Sequence, residues 1–238
     1  MFNPFSQKKP LIKSDFFDHF TDYHSHILPS VDDGVRSVED SLLTLAEYER
    51  YGVRRVIFTP HIMEAFPENS AISLRKEFES FKSIYSGNIE LSLAAEYMLD
   101  SSFEEHLNSG EVLTLWGNYL LVETSYISPP INFYDMLEAI TSHGYFPILA
   151  HPERYLYMSS DELKSLKARG ILFQLNLLSL SGFYGVAVEK RAAYLLENGM
   201  YDIIGSDMHN WKSFQEWISR VKLSPKREKK LRELKTKY

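Results

Sequence analysis

Seven short apolar runs, separated by longer stretches of helical periodicity, constrain the fold of this chain more than any other feature. The runs fall at 20–24, 55–59, 89–95, 119–123, 146–150, 172–176 and 203–206, and several are rich in the β-branched and aromatic residues that strands prefer. Between them, Val38, Leu42, Leu45 and Ala46 share one helical face behind a capping Ser37. Val188, Ala192, Leu195 and Leu196 repeat that spacing until Gly199 stops it. Further helices are predicted over 71–85, 132–143, 160–169 and 224–236, the last opened by Ser224-Pro225. Strands alternating with helices imply parallel βα units of the α/β class, and a barrel of such units gathers its functional groups at the C-terminal strand ends. Without repeats or low-complexity linkers, residues 20–238 read as a single domain preceded by an N-terminal extension, 1–19.

The strand ends carry the chemistry. Asp22-Tyr23-His24-Ser25-His26 closes the first run and is followed by Asp32-Asp33-Gly34, while Thr59-Pro60-His61 closes the second. Glu96 and Glu123 end the third and fourth, Ala150-His151-Pro152-Glu153-Arg154 the fifth, and Ser206-Asp207-Met208-His209 the seventh. Two imidazoles one residue apart on a strand turn toward the same point, as a metal ion requires. Imidazole and carboxylate together suit Mn, Fe or Zn, and the inventory is too large for one ion and about right for three. Several cations held close together neutralise a phosphate and lower the pKa of water so that hydroxide exists at neutral pH. Arg154 either grips phosphate oxygens with its planar fork or pairs with a nearby acid such as Glu153.

Composition excludes several alternatives. There is no cysteine, which removes disulfides, thiolate ligands and a cysteine nucleophile. The net charge of −6 disfavours a nucleic-acid binder that relies on phosphate neutralisation. Residues 221–238 hold eight Lys or Arg against two Glu, so the remaining body carries −12, as a multi-cation site would need. The first residues lack an apolar core of signal-peptide length, and no window approaches the roughly 18 apolar residues of a membrane span. A cytoplasmic protein without a membrane span is expected. His19, His106 and His143 lack comparable context and read as structural or solvated, whereas Phe66, Tyr126, Tyr155, Tyr157, Phe183 and Tyr184 fall in predicted rim loops where they could wall a phenyl ring.

Asp-x-His-x-His-Ile-Leu-Pro-x-x-Asp-Asp-Gly at 22–34, Thr-Pro-His at 59–61, His-Pro-Glu-Arg-Tyr at 151–155 and Gly-Ser-Asp-x-His at 205–209 resemble the PHP (polymerase and histidinol phosphatase) superfamily. The similarity is strongest to its bacterial metal-dependent protein tyrosine phosphatases, the phosphoric monoester hydrolases that partner the tyrosine kinases of capsule and exopolysaccharide synthesis. It spans roughly residues 20–210 with the motifs in family order. The resemblance implies a distorted seven-stranded (β/α)7 TIM-like barrel of PHP type, which agrees with the strand count.

Carried over position by position, the resemblance implies three divalent metals, manganese foremost. His24, His26, Glu96 and Asp207 would hold the first; Glu96, Glu123 and His151 the second, with Glu96 bridging; and Asp33, His61 and His209 the third. Asp33 is preferred to Asp32 because it directly precedes Gly34, as in the family. Arg154, Asp207 and His209 would be catalytic, and Arg154 with Tyr155 would bind substrate, a phosphotyrosine protein attacked in line by a metal-held hydroxide. The chain departs from some relatives in reading Asn210-Trp211-Lys212-Ser213-Phe214 where they carry an arginine after the last motif; whether Lys212 replaces that second phosphate-binding group is left open. The rival expectations are a small-molecule phosphatase of the histidinol-phosphate type, a nuclease on the same metals, and a metal- or kinase-binding module without catalysis. An amidohydrolase also begins with His-x-His on a barrel, but no strand-end lysine is present to carry its chemistry.

Overall fold

The computed structural model describes residues 10–237. Every strand pairing is parallel, as the alternation with helices requires. A three-stranded sheet has the order β1-β2-β4, with β1 Thr21–Ser25, β2 Arg55–Phe58 and β4 Glu90–Leu93. A six-stranded sheet has the order β3-β5-β6-β7-β8-β9, with β3 His61–Ile62, β5 Glu96–Met98, β6 Tyr119–Glu123, β7 Phe146–Ala150, β8 Leu172–Asn176 and β9 Ile203–Gly205.

Nine strand segments stand among the described residues where seven strands are expected. The run at 55–59 is followed by Pro60, which has no N–H to give, and the chain resumes as β3; the run at 89–95 breaks at Ala94-Ala95 and resumes as β5. The breaks do not part the chains, because Phe58 and Pro60 carbonyls still accept from the Ala94 and Glu96 amides at 2.8 and 3.1 Å. The other edge curls round to β1: the Asp207 amide donates to the His24 carbonyl at 2.8 Å and the His26 amide to Met208 at 3.1 Å. Curling is also written in the packing, since Ile57, Leu121, Ile148, Ala150 and Ile203, from β2, β6, β7 and β9, meet in one small buried cluster.

Helices cover the outside. They are α1 Val38–Arg50, α2 Ala71–Ile84, α3 Phe103–Asn108, α4 Phe133–Ser142, α5 Ser160–Ala168, α6 Val186–Glu197, α7 Trp211–Ile218 and α8 Pro225–Lys235. α3 and α7 are short and were not foreseen. In α6 the expected face, Val188, Ala192, Leu195 and Leu196, is the buried one. In α1 it is not: Ser41, Thr44, Leu45 and Tyr48 are buried, whereas Val38 and Ala46 are exposed. The polar members of that face are satisfied inside, Ser41 donating to the Ile27 carbonyl and Tyr48 to Asp22, which apolar periodicity does not reveal.

Residues 1–9 lie outside the described residues. The rest of the expected extension is packed into the main core: Leu11, Ile12, Phe16 and Phe17 are buried, and Phe16, Phe17 and Phe20 form edge-on and tilted ring contacts at 5.2 to 5.5 Å.

Candidate metal centre

The parallel strands end on one rim, and chain geometry brings the acidic and imidazole groups there. His24 and His26 lie two residues apart, on the same side of β1 and its continuation. His61 of β3 pairs in register with Glu96 of β5, and Glu123 ends β6. His151 follows β7, and Asp207 and His209 follow β9. His151 and Asp207 both adopt the left-handed backbone, at φ 33° and 50°. In a non-glycine residue this costs on the order of 1 kcal/mol or more, and such strain gathers at functional sites. Each of these side chains except Asp33 and His209 is buried.

Eight of the nine expected ligands fall into three groups whose donor atoms lie within 4.8 Å of one another. The first is His24, His26, Glu96 and Asp207, as the resemblance implied. The second joins His61, rather than His151, to Glu96 and Glu123, and the third adds His26 to Asp33, His61 and His209. His151 stands beside the second group, its Nε2 3.0 Å from Glu96 Oε1 and 3.9 Å from Glu123 Oε2. Between the two candidate aspartates the division is clear. Asp33 Oδ1 faces His209 Nε2 at 3.3 Å and His61 Nε2 at 3.5 Å, whereas Asp32 sits behind His26, 2.8 Å from its Nδ1.

The donor set fits cations. His24 Nδ1 lies 3.0 Å from the side-chain Oε1 of Gln174 and His26 Nδ1 faces Asp32, so both Nδ1 atoms donate. In the neutral rings the two Nε2 lone pairs then point into one space, 3.1 Å apart, together with Glu96 Oε2 and Asp207 Oδ1 at 3.0 to 3.5 Å. Acceptors facing acceptors at that range repel unless a cation or protons lie between them. His61 Nδ1 is buried with no hydrogen-bond partner, yet sits 3.2 Å from Glu96 and 3.1 Å from Glu123.

The electrostatics express the same competition. Burial alone would raise Glu96 and Asp207, but His24 and the surrounding imidazoles hold both well below the usual carboxylate range. Burial and His26 oppose protonation of His61, yet Asp33, Glu123 and Glu96 outweigh them and lift it to about 10. The cluster therefore attracts positive charge, from protons or from metal ions that displace them.

Arg154 borders the first group. Its Nη1 donates to Asp207 Oδ2 at 3.0 Å, so it does not pair with Glu153. The guanidinium lies between Tyr126 and Tyr184, 4.0 and 4.1 Å from their ring centroids, which leaves the edge of the fork for a ligand. Tyr184 and Asn176 also donate to Asp207 Oδ2, at 3.4 and 2.7 Å. Phe66 stacks on His61 with ring centroids 6.0 Å apart.

Tyr155, expected to bind substrate, is fully buried; its hydroxyl accepts from the Thr124 amide and lies 3.3 Å from His151 Nδ1, on the far side of that imidazole's ring from Nε2. The supporting residues were also missed. Gln174 serves both His24 and the His151 amide, and buried Glu153 accepts from the Asn176 amide and from Tyr201. A signal existed for two of them: Gln174 and Asn176 are polar residues two apart in an otherwise apolar strand, and so share a face.

Comparison with known proteins agrees with this geometry. Residues 20–229 match the family described as capsular polysaccharide synthesis, CpsB/CapC. The tyrosine-protein phosphatase CpsB of Streptococcus pneumoniae is 33% identical over 205 residues, covering 81% of this chain and 84% of that protein. The tyrosine-protein phosphatase YwqE of Bacillus subtilis is 28% identical over 198 residues, covering 81% and 78%. A crystal structure from work on YwqE and S. pneumoniae CpsB, described as metal-dependent tyrosine phosphatases, superposes with a TM-score of 0.72 over 92% of this chain and 96% of that one, at 22% identity. With more than half its length matched, and with a relative one-third identical, this chain belongs to the CpsB/CapC family of capsular polysaccharide synthesis proteins.

Proposed function

We propose that this protein is a metal-dependent protein tyrosine phosphatase. The observation that carries the reading is the convergence of three carboxylate-imidazole groups, each within 4.8 Å, at a rim where Arg154 presents the edge of its fork. We read the curled sheet as a distorted seven-stranded barrel in which β2 with β3, and β4 with β5, each count once. Residues 20–238 would form one catalytic domain with 1–19 as its extension.

His24, His26, Glu96 and Asp207 would hold one divalent ion, His61, Glu96 and Glu123 with His151 a second, and Asp33, His61 and His209 with His26 a third. When bound, such ions, manganese foremost and iron or zinc as alternatives, neutralise phosphate charge and lower the pKa of water. The chain's own residues do the rest. Gln174 and Asp32 keep Nδ1 of His24 and His26 protonated, so that Nε2 faces the site. Arg154 binds phosphate oxygens edge-on and is held in plane by Tyr126 and Tyr184. A tyrosine leaving group has a conjugate-acid pKa of about 10 and departs with less protonation than a serine or threonine alkoxide requires. The relatives' names and the capsule-synthesis family support a phosphotyrosine protein as substrate, with a cognate bacterial tyrosine kinase in the cytoplasm the natural partner. No helix among the described residues is long and apolar enough to cross a membrane.

Manganese-loaded protein should hydrolyse a phosphotyrosine peptide in preference to histidinol phosphate or a nucleic-acid substrate, and Asp207→Ala should lose both turnover and bound metal. Preference for histidinol phosphate would replace this reading with the small-molecule one. Bound metal without turnover on any of the three would leave a binding module.

A further inference from the structure

One groove of the rim is unused by the chemistry described so far. It has a volume of about 460 Å³ and runs between the starts of α1 and α7. Asp33 and His209 form its inner end, which makes it continuous with the third metal group. Leu43 and Trp211 give it apolar wall, and Arg36 and Lys212 are its two cations. Neither cation has an ion-pair partner among the described residues, although the chain as a whole is acidic. Of the two carboxylates in the groove, Asp33 is committed to His61 and His209. Asp40 accepts from Ser37 at the cap of α1. Asp40 keeps its charge, but with Asp33 turned to the two imidazoles Arg36 and Lys212 outnumber it two to one, so the groove is positive on balance, and a phenyl ring alone would fill only a part of its volume.

We propose that this groove is the subsite for the polypeptide next to the phosphotyrosine, and that Arg36 and Lys212 select an acidic side chain within it. The inference rests on the phosphatase reading above. Continuity with the metal group fixes the occupant as part of the same substrate that presents its phosphate to Arg154. The two unpaired cations, set beside apolar wall, fix its chemistry as a short acidic segment with some apolar contact. Because both cations are exposed, their contribution is a preference of modest size that weakens as salt rises.

The test compares kcat/KM of the manganese-loaded full chain on three substrates: 4-nitrophenyl phosphate, a phosphotyrosine peptide with glutamates flanking the phosphotyrosine, and the same peptide with lysines. The wild type should favour the glutamate peptide by about tenfold at low salt. Arg36→Glu and Lys212→Glu should each cut that preference about fivefold, and Arg36→Gln less, while 4-nitrophenyl phosphate changes by under about twofold. Turnover of all three with no charge preference, or with a preference that both reversals leave intact, overturns the subsite and leaves the phosphatase reading standing. So does an equal loss on 4-nitrophenyl phosphate in Lys212→Glu, which would place that lysine on the phosphoryl group. No turnover of any substrate by the loaded wild type overturns the phosphatase reading and the subsite together.

Discussion

Asp207 shows how much one side chain at this rim is asked to do. Its Oδ1 faces His24 and His26, and its Oδ2 receives Arg154, Asn176 and Tyr184. Arg154 is thereby tied to a carboxylate of the proposed metal cluster without joining the cluster itself. Arg154→Ala should leave metal content unchanged and lower kcat/KM on phosphotyrosine peptides by about 10² to 10³, checked by elemental analysis beside steady-state kinetics; loss of metal would mean the role is wrong. Gln174 acts one layer further out, and Gln174→Ala should weaken metal affinity about 10- to 100-fold, read by titration of the stripped protein. At this scale the cluster itself was legible: eight of the nine residues singled out at the ends of apolar runs gather in three groups at the rim. A motif gives a residue's neighbours in the chain and not its depth in the fold: Tyr155, beside Arg154, is buried against His151.

Among the elements, the contact between β1 and β9 brings the first and last motifs together. Gly205 permits it: a Cβ there would meet His24 Cβ at 2.3 Å and Gln174 Nε2 at 2.7 Å. Gly205→Ala should therefore cost about 1 to 3 kcal/mol by overpacking and should also reduce metal uptake by displacing His24, measurable by denaturant unfolding and elemental analysis of the same sample. A substitution that destabilises but leaves metal uptake intact would show that the β1–β9 contact does not position His24. Strand positions were readable from apolar runs; Pro60 marks the break after Phe58, whereas the apolar run at 89–95 carries no such mark for the break after Leu93. Apolar periodicity found the buried face of α6 but not that of α1, whose inward serine, threonine and tyrosine count as surface residues until their partners are known.

For the whole molecule, the residues before β1 are part of the core. Deleting 1–19 removes Leu11, Ile12, Phe16 and Phe17 from buried positions, so the remaining chain should not melt cooperatively. Phe16→Ala alone should cost about 3 to 5 kcal/mol, checked by denaturant unfolding. Protons and metals compete for the same cluster, which sets the pH response. In stripped protein the His61 pKa is about 10 when folded, against roughly 6.5 unfolded. Its stabilising contribution is complete below the lower value and is lost as pH rises through the higher one. Thermal melts of stripped protein should fall across that window, while the gain in melting temperature on adding manganese grows across it, because uptake displaces the proton.

The most direct measurement is a manganese titration of chelator-treated protein, following hydrolysis of a phosphotyrosine peptide and bound metal together. Turnover should start near zero, rise in step with metal uptake, and be absent with Asp207→Ala. Undiminished hydrolysis by protein shown to be metal-free, or uptake by the Asp207 variant equal to that of the wild type, would contradict a cation cluster held by the strand ends.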